Sequence, residues 1–415
     1  MFSSSEKKLL FILAAVQFNH IVDFMIIMPL GPQLMRLFSI NPDQFSLLVS
    51  AYTFTAGLSG IMASFYMDYF DRKKSLLFLF IGFTVSTAFC GLARSYETLL
   101  VARALTGFFG GVANSIILSI ISDVIDYKRR GTAMGYLATS FSVASIFGVP
   151  FSLYIAHQFE WYTPFLFLAA LCVFIIIAAV KYIPQINSHL VEKKTVKFWV
   201  PVWQIIKNPQ QRLALAFMFF VMSAHFAVIP FVSPAFVANA GLPESQLMFV
   251  YLVGGICSIL TAPFIGKFSD KHGKAKVFFF AVLFSIIPVY LVTHLEKMGV
   301  LSVLFISGLF FVSAGSRMIP AQALISSAAS PQQRGSFMSL VSSVQSISMA
   351  FGAYVAGQIV TRDAVTGQLL HYSTVGFLAI GIGLFTLIIL QKIKYLDHKN
   401  DQKPNVQTLV QTGNT

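Results

Sequence analysis

Twelve apolar runs follow one another along this chain, each about as long as the ~20 residues a helix needs to cross the hydrocarbon core of a bilayer. Taken between polar breaks, they cover residues 9–31, 44–66, 75–93, 98–121, 132–156, 162–183, 210–233, 246–266, 277–295, 300–323, 337–360 and 371–391. Composition points the same way. Charged residues make up 11% of the 415, against roughly 25% in a soluble domain. A chain with so few charges cannot clothe itself for water, and most of its outer surface must face lipid. The expected fold is all-α and integral to the membrane. The first run is too long for the apolar region of a signal peptide and no small-x-small cleavage site follows it, so it reads as the first span. Cys90, Cys172 and Cys257 fall inside apolar runs, which argues for free buried thiols and against a disulfide framework.

The spans fall into two sets of six around a polar stretch rich in Lys, Gln, Asn and Pro. This gives a first bundle at 1–183, a cytoplasmic linker at 184–209, a second bundle at 210–396 and a disordered tail at 397–415. Within the linker, "FWVPVWQII" has the amphipathic character of an interfacial segment. Orientation follows from Lys and Arg. With the N-terminus inside, the inner loops and tails carry twenty-three of them and the outer loops four, Arg36, Arg94, Lys297 and Arg362. Both termini are therefore expected in the cytoplasm. The net charge of +13 is mostly topological and meets anionic inner-leaflet lipid, so nucleic acid is not needed to explain it.

The two halves echo each other. "SFYMDYFDRKKSLLF" after span 2 is answered by "GKFSDKHGKAKVFFF" after span 8, each with an Asp at the membrane edge and a basic cluster behind it. "NPDQFSLLVSAY" before span 2 matches "LPESQLMFVYLV" before span 8, and "IIMPLGP" ending span 1 matches "VIPFVSP" ending span 7. Six-span repeats in the same order are the parallel-repeat signature of many secondary transporters, with the substrate path between the halves.

At these residues the chain resembles the major facilitator superfamily. The family's loop motif, Gly-x-Leu-Ala-Asp-Arg-x-Gly-Arg-Lys, is matched in the second half by Gly266, Phe268, Asp270, Lys271, Gly273 and Lys274, with Ala275 at the last position. The first-half copy keeps Asp68, Arg72 and Lys73 and departs at Ser64 and Asp71. Arg103 and Gly107 carry the span 4 motif. Gly148 and Pro150 in "FGVPFSLYIA" are similar to the core of the antiporter motif, with Phe151 and Ser152 where glycines are usual. Within the superfamily the pattern is similar to the twelve-span drug:proton antiporter and sugar-efflux branch. The resemblance implies two pseudo-symmetric six-helix bundles that rock about a central cavity. It also implies that Asp68 faces span 11 and Asp270 faces span 5. A carboxylate there meets the positive end of a neighbouring helix in one conformation only, so Asp68, Arg72, Asp270 and Lys274 are candidates for a gate latch. Arg72, Lys73 and Lys74 also serve as topological anchors.

Five ionisable side chains lie within spans: His20, Asp23, Arg103, His225 and Arg317. Each unpaired charge at mid-bilayer costs on the order of 3 kcal/mol, so these should face the bundle interior. At a rise of about 1.5 Å per residue, Asp23 lies roughly 9 Å and Arg103 roughly 8 Å from the outer edge of a ~30 Å core. The depths agree, and spans 1 and 4 line the cavity in the family resembled, so the two are expected to pair. Burial and Arg103 act in opposite senses on the protonation of Asp23, and a change in exposure shifts the balance; Asp23 with Arg103 is the candidate proton-coupling site. His20 shares a helix face with Asp23. His225 lies near the Asp23 position when the halves are aligned on Pro29 and Pro230. Arg317 falls toward the cytoplasmic third, where it could snorkel to the interface. With Asn114 and Gln345 these residues form the candidate substrate cavity. Pro29, Gly148, Pro150 and Pro230 mark expected helix bends.

No Gly-x-Ser-x-Gly, His-Glu-x-x-His, phosphate loop or Gly-x-Gly-x-x-Gly occurs, so an enzyme is not expected. The expected function is proton-coupled efflux of small amphipathic molecules across the cytoplasmic (inner) membrane. The protein would be monomeric and multi-pass, without a cofactor, a resident metal or a nucleic-acid partner, and driven by the proton gradient. A proton-coupled uptake symporter is the nearest alternative. A metal exporter using His20, Asp23 and His225, and a non-transporting receptor, are the others.

Overall fold

The helix starts are written into the polar breaks. Ser3 accepts from the Glu6 amide while Glu6 accepts from the Ser3 amide, a capping box that opens α1, Ser4–Ile26. Asp71 caps α4 through the Lys74 amide, Ser95 caps α5 with Thr98 answering, and Asn208 caps α10 just before Pro209. The structure, a computed structural model, describes residues 2–66, 70–126, 129–186, 203, 205–329 and 334–401. The helices are α1 Ser4–Ile26, α2 Gly31–Leu37, α3 Pro42–Tyr66, α4 Arg72–Leu92, α5 Tyr96–Gly110, α6 Ala113–Val124, α7 Arg130–Val143, α8 Val149–Gln158 and α9 Thr163–Tyr182. They continue with α10 Pro209–Ala238, α11 Leu247–His272, α12 Lys274–Thr293, α13 Val300–Ser327, α14 Arg334–Ile359 and α15 Tyr372–Asp401. Among the described residues twelve spans are long and apolar enough to cross a membrane. A short hairpin, β1 Thr361–Arg362 with β2 Leu369–Leu370, joins α14 to α15.

Several spans are interrupted. The first was expected to run to residue 31. It ends instead at Ile26, because Pro29 has no amide to donate and its ring crowds the preceding turn. Pro29 thus lies in a break between α1 and α2, outside any bent helix. The fourth span breaks at Gly111–Val112 into α5 and α6. The fifth passes from α7 to α8 through a π-helical turn, Ala144–Gly148, just before Pro150. Pro230 stays inside the continuous α10. At the C-terminal end the helix passes the expected boundary at 396 and reaches Asp401; no Gly or Pro intervenes before Pro404. Most of the expected interfacial segment, and residues 402–415, lie outside the described residues.

Two ends of the molecule can be told apart. Arg72, Lys73, Lys74, Arg129, Arg130, Lys267, Lys271, Lys274 and Lys276 cluster at one, the basic end. At the far end one apolar core runs through both halves, with Ile26, Leu34 and Phe45 meeting Phe231, Phe236 and Val250. At the basic end the cores are separate. Leu13, Phe80 and Ile121 belong to one; Phe217, Leu324 and Phe337 belong to the other. The parting is one-sided. α3 and α14 stay together as far as Gly60, where an added Cβ would meet Ser343 Oγ at 2.8 Å. α11 touches the fifth span at Gly255, next to Ser145 and Ile146. Beyond that point a Cβ at Gly131, Gly135 or Gly266 would find open space. The halves close at the far end and part at the basic end, between α7 and α11.

Candidate functional site

At the break before Pro29 the last carbonyls of α1 are met by turn amides, Met28 N–H on the Met25 carbonyl and Leu30 N–H on that of Ile26, each at 3.3 Å. Asp23 lies in that last turn. Arg103 Nη1 donates both to the Asp23 carbonyl, at 3.2 Å, and to its Oδ2, at 2.9 Å. One guanidinium therefore caps a helix C-terminus and neutralises the carboxylate beside it. Thr87 Oγ1 on α4 donates to Oδ1 at 3.2 Å. Both charged side chains are fully buried. The guanidinium lies over the Tyr52 ring at 4.3 Å, a cation–π contact that shields it further. Arg103 can come this close because α5 lies tight against α3: a Cβ at Gly107 would strike the Tyr52 carbonyl, and one at Gly111 the Ala56 backbone. Nε and Nη2 of Arg103, the Tyr52 hydroxyl and His20 Nε2 are buried without partners among the described residues.

The other residues singled out from the sequence fall into place unevenly. His20 packs against Phe83 on α4 and Tyr52 on α3, with ring centroids at 5.8 and 6.1 Å. His225 on α10 belongs to the second bundle, where its Nδ1 meets Arg317 Nη2 at 3.2 Å. Arg317 does not snorkel to the basic end. Its side chain is 7% exposed and reaches toward His225. A guanidinium that finds a buried acceptor within its own length need not drag its stem through apolar packing to reach water. No cluster of three His, Cys, Asp or Glu suited to a metal ion, from His20, Asp23 and His225 or otherwise, occurs among the described residues. Gln345 on α14 donates to Met218 Sδ at 3.6 Å within the second bundle. Asn114 sits on α6, and its side chain is outside the described set. Gly148 lies against Val22 of α1, so its role is close packing within the π-turn, with Pro150 opening α8.

Asp68 lies outside the described residues. Arg72 pairs with Asp123 at 3.3 Å, inside the first bundle. Asp270 is exposed and has no ion pair among the described residues; its expected neighbour, the fifth span, has parted from α11 at this depth. What the sequence reading missed is a bridge at the far end. Arg36, on α2, holds Glu244, at the start of the eighth span, with both guanidinium nitrogens, one of them at 2.8 Å. The signal was present in the repeat, since Glu244 follows Pro243 as Asp43 follows Pro42, which puts two matching loops opposite each other. At the basic end Arg129 similarly clasps Glu6, at 2.9 and 2.8 Å.

Comparison with known proteins agrees with this architecture. The family profile described as Major Facilitator Superfamily matches residues 13–353 and 215–411. The uncharacterized MFS-type transporter YceJ of Bacillus subtilis (strain 168) is 23% identical, over 88% of this chain and 92% of that protein. A probable sugar efflux transporter of Mannheimia succiniciproducens is 22% identical, over 86% of this chain and 87% of its own length. Among solved structures, a bacterial homolog to the human lysosomal transporter Spinster, in an inward-facing and unoccupied conformation, superposes with a TM-score of 0.69. It is 16% identical and covers 95% of this chain and 97% of its own, a likeness of fold.

Proposed function

The chain belongs to the Major Facilitator Superfamily, and from that premise we propose that this multi-pass membrane transporter exports small amphipathic molecules in exchange for protons. The observation that carries the reading is the Asp23–Arg103 pair, fully buried under the joined far end and above the parted basic end. A titratable carboxylate at that depth is costly and is kept only with a partner. It lies where a solute entering from the basic end would arrive. The efflux direction draws on the relative named as a sugar efflux transporter. The excess of Lys and Arg in the basic loops supports a cytoplasmic location, at an inner membrane, for the parted end and both termini.

On this reading the conformation described is open to the cytoplasm. Substrate enters between α7 and α11, the halves rock, and the far-end core with its Arg36–Glu244 bridge opens in turn. Asp23 takes a proton from the outside when water reaches it there and releases it inside.

The test is flux in proteoliposomes under an imposed pH gradient, with a panel of sugars and aromatic amphipaths as probes. The parent should accumulate at least one probe against its gradient, and Asp23→Asn should only equilibrate it. Equal accumulation by Asp23→Asn would remove Asp23 from the coupling. Accumulation only under the opposite gradient would make the protein an uptake symporter.

A further inference from the structure

Two arginines are buried deep within membrane spans, one in each bundle, and only one of them has a counter-ion. Arg103 has Asp23 at 2.9 Å. Arg317, more than nine-tenths buried, has a neutral partner: a guanidinium can only donate, so His225 Nδ1 accepts its hydrogen bond and the ring carries its proton on Nε2. Arg317 Nε is buried with no partner, and no carboxylate pairs with Arg317 among the described residues. A buried cation left without an anion is expensive, and such residues in membrane interiors are kept for what they bind.

Chain direction places the pair. α10 runs from the basic end outward, so His225 lies on the basic side of Phe226, which stacks on Phe24 of α1 across the interface at 6.0 Å. α13 runs inward, so Arg317 lies on the basic side of Phe310, whose ring stacks on His225 at 6.3 Å and 10°. Phe24, Phe226 and Phe310 make an aromatic ceiling, and Arg317 lies just beneath it on the side where the halves part.

We propose that Arg317, supported by His225, is the binding point for an anionic group on the transported molecule, and that the substrates are small organic acids with an aromatic or otherwise apolar body. The carboxylate or sulfonate supplies the missing counter-ion through charge-assisted hydrogen bonds, and the apolar body lies against the three phenylalanines. The proposal rests on the transporter reading above and fixes the substrate class within it.

The test is equilibrium binding to the purified full-length protein, which needs no gradient. The probes are 2-naphthoate against 2-naphthamide, and 2-naphthalenesulfonate against its sulfonamide. The parent should prefer each acid over its neutral isostere by about tenfold or more. Arg317→Gln should lose that preference while still binding the amides, and Arg317→Lys should keep part of it. Should Arg317→Gln not fold, the parent's acid-to-amide ratio and the Arg317→Lys variant decide. Equal binding of acid and amide by the parent, no binding of either acid at millimolar concentration, or a preference that survives in Arg317→Gln would each overturn the proposal. Loss of the preference with gradient-driven flux intact would remove the anion site alone. Loss of gradient coupling with the preference intact would remove only the Asp23 coupling.

Discussion

Removing one member of the Asp23–Arg103 pair should cost far more stability than removing both. Asp23→Asn deletes the negative charge and leaves a guanidinium that is fully buried, with two nitrogens already unpartnered. Breaking a buried pair from one side costs about 3–5 kcal/mol. Asparagine keeps an oxygen for Thr87, and the backbone carbonyl at position 23 still accepts from Arg103, so the loss should lie near ~3 kcal/mol, the lower end of that range. In a unit the size of one six-helix half, 1 kcal/mol moves the unfolding midpoint by roughly 2–4 °C, so the expected fall is on the order of 10 °C. The double variant Asp23→Asn with Arg103→Gln removes both charges, and neutral replacement of a buried pair is often without net cost. It should recover most of the loss. The assay is thermal unfolding of the purified proteins in one detergent, completed as a cycle with Arg103→Gln alone. Transport should not recover in the double variant. A single variant as stable as the parent, or a double variant no better than the single, would refute the claim that the pair is desolvated and coupled.

Two smaller predictions follow from the packing. Gly107→Ala pushes a methyl into the Tyr52 carbonyl and should destabilise by about 1–3 kcal/mol. Gly135→Ala has open space and should be neutral or stabilising by up to about 1 kcal/mol, with unfolding midpoints giving the contrast. The Arg36–Glu244 bridge is partly exposed, with side chains 49% and 29% accessible, so it should be worth no more than about 1 kcal/mol and weaken with salt. Glu244→Gln should raise the population open at the far end by no more than about fivefold, read by spin-label distances between α2 and α11, and high salt should give the parent a similar shift.

Much of this fold was legible because the membrane leaves few choices. Span length, the Lys and Arg asymmetry and the six-plus-six repeat are one-dimensional signals, and twelve spans in two sets followed from them, while the loop motifs carried the resemblance to the superfamily. Asp23 and Arg103 could be matched because depth is a one-dimensional quantity too: two helices running in opposite directions put them at the same level. Direction around a helix axis was not legible in the same way. His20 was placed on the Asp23 face, but the chain does not say which neighbours meet that face; they are Phe83 and Tyr52, the ring that also carries the Arg103 guanidinium. Arg317 was placed by its Cα, whereas its long side chain carries the charge toward His225. The Arg36–Glu244 bridge joins loops far apart in the chain, and only the repeat could have suggested it.

Neither buried arginine bridges the halves, and this limits how coupling can work. Asp23, Thr87 and Arg103 all belong to the first bundle; His225 and Arg317 belong to the second. A rigid rocking motion moves each group as a unit and breaks neither pair. If the proposed coupling holds, conformation must act on Asp23 through what surrounds the pair. The contacts that do cross near this level are apolar: Phe24 on Phe226, and farther out Phe45 on Phe231. When the far end opens, those rings separate, water approaches Asp23 from that side, and the cost of its charge changes without any change of partner. Substitutions in the ceiling should then alter coupling though they touch no charged atom. Phe226→Ala, which removes the ring stacked on Phe24 and leaves the ion pair complete, should let the pH gradient leak while solute still crosses. A pH-sensitive dye inside proteoliposomes reads that leak directly. A variant that stays proton-tight with its pump ratio unchanged would show that the seal, and with it this account of the coupling, lies elsewhere.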